Sequence, residues 1–146
     1  MATYSFLDVN ATLVGPSGFI NLGNGAAVAE EGISIEMAGD KNTMMIGSDG
    51  EGMHSLAADK SGQITVRLLK TSPQNALLQA MYIAQTSISN LHGQNVITIT
   101  NAKSGDVTVG RECAFKKKPA LNYKKDGDIQ EWVFDVIKID SVLGEY

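Results

Sequence analysis

A single cysteine, Cys113, leaves the 146-residue chain without an internal disulfide and fits a reducing compartment. Histidine is almost as scarce. His54 and His92 are far apart, and with one cysteine they give no zinc-ligand spacing. Only three prolines stand against fifteen glycines, which implies many turns and flexible loops rather than a disordered chain. No run of about 18 apolar residues occurs, so no membrane-spanning helix is expected. The opening MATYSFLDVN lacks the basic region and apolar core of a signal peptide. Asn10-Ala11-Thr12 matches a glycosylation sequon, but without a secretion signal it reads as chance. No internal repeat or low-complexity segment appears.

What is present is enough for one domain over residues 1–146, and the hydrophobic fraction of 43% is that of a globular core. The net charge of −4 conceals a split. Residues 1–59 hold eight acids and one base, Lys41; residues 60–146 hold eight acids and eleven bases. Differently charged loops explain this in a monomer. A subunit that meets copies of itself would need it.

Residues 72–91 (SPQNALLQAMYIAQTSISNL) predict the one helix. Ser72 supplies an N-cap and Pro73 suits the first helical position. Leu77, Met81, Ala84, Ile88 and Leu91 draw an apolar stripe, widened by Leu78 and Tyr82. Gln74, Asn75, Gln79, Thr86 and Ser89 form the opposite face, and Gly93 is the expected stop.

Elsewhere the period is two. Residues 5–14 place Leu7, Val9, Ala11 and Leu13 on one face and Asp8, Asn10 and Thr12 on the other, a half-buried strand. Gly15-Pro16-Ser17-Gly18 is a turn, and residues 19–22 return as its hairpin partner. A glycine connector at 23–25 leads to residues 26–31. Ile33, Ile35 and Met37 then point inward, with Ser34 and Glu36 outward, and residues 43–47 return as a strand. Residues 48–62 (SDGEGMHSLAADKSG) show no sustained period and read as a long glycine-rich loop, the most probable interaction element of the chain. Further strands are expected at 63–70, 95–100, 107–115 and 129–142. In the third, Val107, Val109, Cys113 and Phe115 share the inward face. The last is apolar on both sides, with Trp132, Phe134 and Val136 on one and Val133, Ile137 and Ile139 on the other. The pattern is a mainly β (α+β) fold, an antiparallel β-sandwich or open β-barrel flanked by one helix.

No catalytic constellation emerges. Cys113 with either histidine as base is conceivable, but on an inward strand face a cysteine is a small hydrophobe. Asp49-Gly50-Glu51-Gly52 lacks the register of a calcium loop, and Gly23-x-Gly25 lacks the third glycine and the helix of a phosphate-binding fingerprint. No cofactor is expected. Lys116, Lys117, Lys118, Lys124 and Lys125 form one basic cluster, without the aromatic platforms of a nucleic-acid site. It reads as a solvated strand edge or a contact to an acidic partner.

Several stretches resemble a family of phage structural proteins, the tail tubes of contractile-tailed phages. They are TYSFLDVNATLVGPSG, EEGISIEM, DKNTMMIGSDGEGMHSLAADKSGQITVRLLKTSPQNALLQAMY, GQNVITITN and EWVFDVIKID, and together they run from Tyr4 to Gly144. Such proteins are similar in architecture to type VI secretion tube subunits. The resemblance implies a structural, non-enzymatic subunit of the virion tail, assembled in the host cytoplasm without a membrane. Six subunits would close a ring, and stacked rings would form a hollow tube through which genomic DNA passes without specific binding. Tail sheath, baseplate and tail-terminator proteins are the implied partners.

Within that picture Asp8, Asn10, Thr12, Ser34 and Glu36 are candidates for the lumen face, because cationic walls would retain DNA. Ser48, Asp49, Gly50, Glu51, Gly52, Met53 and His54 are candidates for contacts between subunits or rings, and the five lysines for a partner-facing patch. Two readings stand beside the tube subunit: a related tail component of the same fold, such as a tail-completion or baseplate hub protein, and a small enzyme or ligand-binding β-domain.

Overall fold

The structure is a computed structural model that describes residues 2–23, 25 and 28–146, with the side chains of 29–31 outside that description. Parts of the expected glycine connector and of residues 26–31 therefore lie outside the described residues. In chain order the elements are β1 (Val9–Gly15), β2 (Gly18–Asn21), β3 (Val28–Met37), β4 (Thr43–Ile46), β5 (Gly52–Ser55) and β6 (Gly62–Leu69). Then come α1 (Gln74–Ser87), β7 (Asn95–Asn101), β8 (Asp106–Lys117) and β9 (Ile129–Val142). Seven strands form one antiparallel sheet in the order β2-β1-β7-β8-β9-β6-β3, and β4 pairs only with β5. The sheet is not closed into a barrel. It is curled, because β1 and β3 line the same cleft although five strand places apart. A flat sheet would hold them roughly 24 Å apart.

The alternating segments fold as their patterns require. Ala11 and Leu13, then Ile64, Val66 and Leu68, are buried in one cluster with Ile97, Trp132, Phe134 and Val136. Leu7 departs from its expected place. A 3-10 turn at Phe6–Asp8 interrupts the alternation, and Leu7 is exposed. Ile35 and Met37 are also substantially exposed, since they sit on an edge strand.

The helix starts one residue later than expected, at Gln74 with Pro73 in the cap position, although Ser72 Oγ still accepts from the Gln74 N–H at 3.3 Å. It ends earlier, with Ile88 already extended. In its last turn the hydroxyls of Thr86 and Ser87 donate to the carbonyls of Tyr82 and Ile83, each at 2.7 Å, a local alternative to helix continuation. The buried face is also rotated from the expected stripe. Leu78, Met81 and Gln85 are buried, whereas Leu77 and Ile88 are about half exposed. Three contacts fix that rotation. Tyr82 meets Phe115 edge-on at 5.7 Å, Trp132 Nε1 donates to Asn75 Oδ1 at 3.1 Å, and Gln85 pairs with Asn95 across β7.

Strand β8 corrects a further expectation. Glu112 takes a left-handed φ of 55°, and three steps of β8 (Gly110 to Cys113) oppose two steps of β7 (Ile97 to Asn95). This β-bulge reverses the facing side. Thr108 and Gly110 face the core before it and Cys113 and Phe115 after it, so Val107 and Val109 point outward. Strand β9 turns over at the same level: Val136 and Ile139 are both buried, while Ile137 between them is exposed. Val133, opposite Thr65 on the other face, is buried as well.

Candidate functional site

Beyond its outer turn, the β3–β6 edge of the sheet continues into an arm made of β4 and β5. Residues 48–62 were expected to form a loop, and half of this hairpin lies within them. Strand β5 (Gly-Met-His-Ser) is too short and too glycine-rich to show a period. Met44 pairs with His54, Met45 with Met53 and Ile46 with Gly52, around a turn that carries Asp49 and Glu51. Every residue of both strands is exposed, and Met44, Met45, Ile46 and Met53 each show more than half of their surface. Consecutive strand residues face opposite ways, so the ribbon is apolar on both sides. A two-stranded ribbon is at best marginal alone in water, and bare apolar patches mark binding surfaces.

A polar elbow joins the arm to the sheet. Lys41 Nζ pairs with Asp59 at 3.0 Å and also donates to the Ala38 carbonyl at 3.2 Å. Asp59 Oδ1 accepts from the Ser61 N–H at 2.8 Å, and Asn42 Oδ1 from the Ala57 N–H at 3.3 Å. The Ser61 side chain and backbone N–H, together with Lys41, hold the Asp59 carboxyl down at about 2.

The basic cluster lies at the other end of β6. Lys116 and Lys117 end β8, Lys118 follows it, and Lys124 and Lys125 lie in the next turn. Lys70 pins that turn down: its Nζ donates to the Asn122 carbonyl at 2.6 Å and sits 4.3 Å over the Tyr123 ring. Asn122, the Ile129 N–H and Lys124 hold Asp128 below the usual carboxylate range. Leu69, Leu121, Tyr123 and Ile129 are exposed among these lysines. A groove of about 380 Å³ opens there, lined by Lys117, Lys118, Pro119, Ile129 and the acids Asp128 and Glu131.

The remaining candidates share one surface. Asn10 and Thr12 pair with Thr100 and Thr98, and Ser34 and Glu36 with Thr65 and Gln63, all on the side of the sheet turned away from the core. They stand toward its two edges. Asp8 is not among them in register, since it closes the 3-10 turn before β1. The two arginines on this side are held by neighbours. Arg67 donates to Ser34 Oγ at 2.8 Å and pairs with Glu131 at 3.4 Å. Asp140, held below the usual carboxylate range by its hydrogen bond to Lys60, also pairs with Arg111 at 2.7 Å.

Cys113 is buried, its Sγ 3.2 Å from the Gly110 carbonyl, and burial pushes its thiol up to about 11. His54 and His92 are exposed. Among the described residues no group of three or more His, Cys, Asp or Glu side chains is placed to hold a metal, and no helix is long and apolar enough to cross a membrane.

Comparison with known proteins places this geometry. The family model described as "Bacteriophage PhiTE tail tube protein" matches residues 1–144. No curated protein matches the chain. Among solved structures, the chain is similar to one from the PVC sheath–tube complex of an extracellular contractile injection system in its extended state. That likeness has a TM-score of 0.55 at 13% identity and covers 91% of this chain and 88% of that one. The PVC sheath/tube terminator matches with a TM-score of 0.60 at 15% identity, over 97% of this chain and 98% of that one. The tube-terminating cap of the anti-feeding prophage matches with a TM-score of 0.56 at 8% identity, over 99% and 95%. At these identities the solved structures share the fold.

Proposed function

The chain belongs to the family of the bacteriophage PhiTE tail tube protein, and from that premise we propose that it is a structural subunit of a phage tail tube. Its subunits close into six-membered rings, the rings stack into a hollow tube, and genomic DNA passes through the lumen without specific binding. Residues 1–146 act as one tube-like domain with no catalytic role. The tube is part of the virion, is assembled in the host cytoplasm, and meets sheath, baseplate and terminator proteins.

One observation carries this reading: a family model spans nearly the whole chain. The open sheet supports it. The edge strands β2 and β3 each have one side unpaired among the described residues. Open edges invite strand pairing with another chain, and a ring in which neighbours cover one another's edges removes them. The arm around Ser48, Asp49, Gly50, Glu51, Gly52, Met53 and His54 makes contacts between subunits. Asn10, Thr12, Ser34 and Glu36, with Asp8 at the rim, face the lumen. Ion pairs on that side neutralise its arginines, which would otherwise bind phosphate.

The test is DNA release from phage carrying Asp8→Lys with Glu36→Lys. Each subunit gains about four positive charges, and a six-membered ring about 24, a girdle that binds phosphate most strongly at low salt. Release is expected to slow at low ionic strength and recover at high. Unchanged release at low salt contradicts the lumen assignment. A second reading, a tail-completion or terminator protein of the same fold, is favoured by the likeness to the PVC terminator. Such a protein would form single rings.

A further inference from the structure

The arm and the lysine-rich seat lie at opposite ends of the same strand. Strand β6 enters from the arm at Gly62 and leaves toward the seat at Leu69. At about 3.4 Å per residue the two surfaces are separated by roughly 24 Å along the strand. They are complementary in two respects. The arm is apolar along its strands and acidic at its tip, where Asp49 and Glu51 stand without a lysine or arginine between 42 and 59. The seat exposes Leu69, Leu121, Tyr123 and Ile129 beside five lysines between 116 and 125, which outnumber its acids Asp126, Asp128 and Glu131. Neither surface reaches the other within one molecule, since one strand holds them apart.

We propose that the arm of one subunit docks on the lysine-rich seat of the next, head to tail along the strand direction. The inference rests on the tube reading and adds which surfaces make the axial contact. Two different patches meeting in a fixed order form a heterologous contact, which propagates without closing where each step advances along one axis. That is the contact a stack of subunits requires, leaving the sheet edges for neighbours in the same ring. The apolar strands supply burial, while the acidic tip and the lysines set direction and partner, because arm against arm and seat against seat place like charges together. The elbow at Lys41 fixes the angle at which the arm is presented.

Paired charge reversal tests this. One variant carries Asp49→Lys and Glu51→Lys; the other carries Lys117→Glu, Lys118→Glu and Lys124→Glu. Each keeps its fold, since all five positions are exposed. Alone, each has an arm and a seat of like sign, and sedimentation is expected to show at least a tenfold loss of polymer against wild type. Mixed in equal amounts, each arm meets an opposite seat, and polymer returns with the variants alternating. Polymer from either variant alone, or none from the mixture while wild type assembles, overturns the proposal.

Wild type that forms no polymer counts against the tube reading instead. The contact is then read by oxidising a mixture of Ser48→Cys and Ala120→Cys subunits. Mixed dimers that increase with concentration support the docking, and their absence overturns it.

Discussion

Gln85 and Asn95 form a buried amide pair in which each donates to the other, at 2.7 and 2.6 Å, and Gln85 also donates to Ser17 Oγ at 3.1 Å. The pair fastens the helix to β7 and to the turn after β1. It also explains Gly15, where a Cβ would fall 2.0 Å from Asn95 Oδ1. Replacing Gln85 with Ala leaves a buried amide without its partner, and chemical denaturation should show a loss of about 1–3 kcal/mol. A loss under a few tenths would mean that water takes the partner's place. None of this was legible in the sequence. A glutamine on an amphipathic helix reads as solvent-facing, and its partner is ten residues away on another element. Cys113 is the opposite case, because its inward position follows from its place beside Phe115.

At the scale of elements, period and capping carried most of the reading. The single helix, the β1–β2 hairpin and the core faces of β6 and β9 around Phe134 follow from alternation and turn chemistry. Besides the rotation and early end of the helix and the 3-10 turn at Phe6–Asp8, two features escaped. The bulge at Glu112 reverses the face of β8 in mid-strand, and a strict count of two cannot anticipate an added residue. The arm was hidden because β5 has four residues and begins with glycine. Its elbow makes a prediction of its own. Asp59 is depressed on folding from 3.8 to about 2, so the elbow gains stability above the unfolded value and loses it as pH falls from there toward 2. A carboxyl titration by NMR should place Asp59 near 2. Ser61→Ala and Lys41→Met should each raise that midpoint, since both side chains hold the carboxyl down. A wild-type midpoint at the ordinary carboxylate value would mean the elbow is open in solution.

For the whole molecule, the charge split left a monomer with differently charged loops and a self-contacting subunit both open. The acidic first part of the chain includes the arm tip, and the basic remainder includes the seat, so the charge split acquires a place in three dimensions. What the residues could not supply was the number of subunits or the direction of stacking, because those belong to surfaces that meet only between molecules. The open sheet, the two unpaired edge strands and the uncovered arm are each unfavourable in an isolated monomer, and contacts with copies of the same chain would relieve all three. Electron microscopy of the purified wild-type subunit at high concentration tests this most directly. Hollow rods of variable length with six-fold end views are the expected result. Single rings that never stack would assign the chain to tube termination, and monomers alone would contradict a tube subunit.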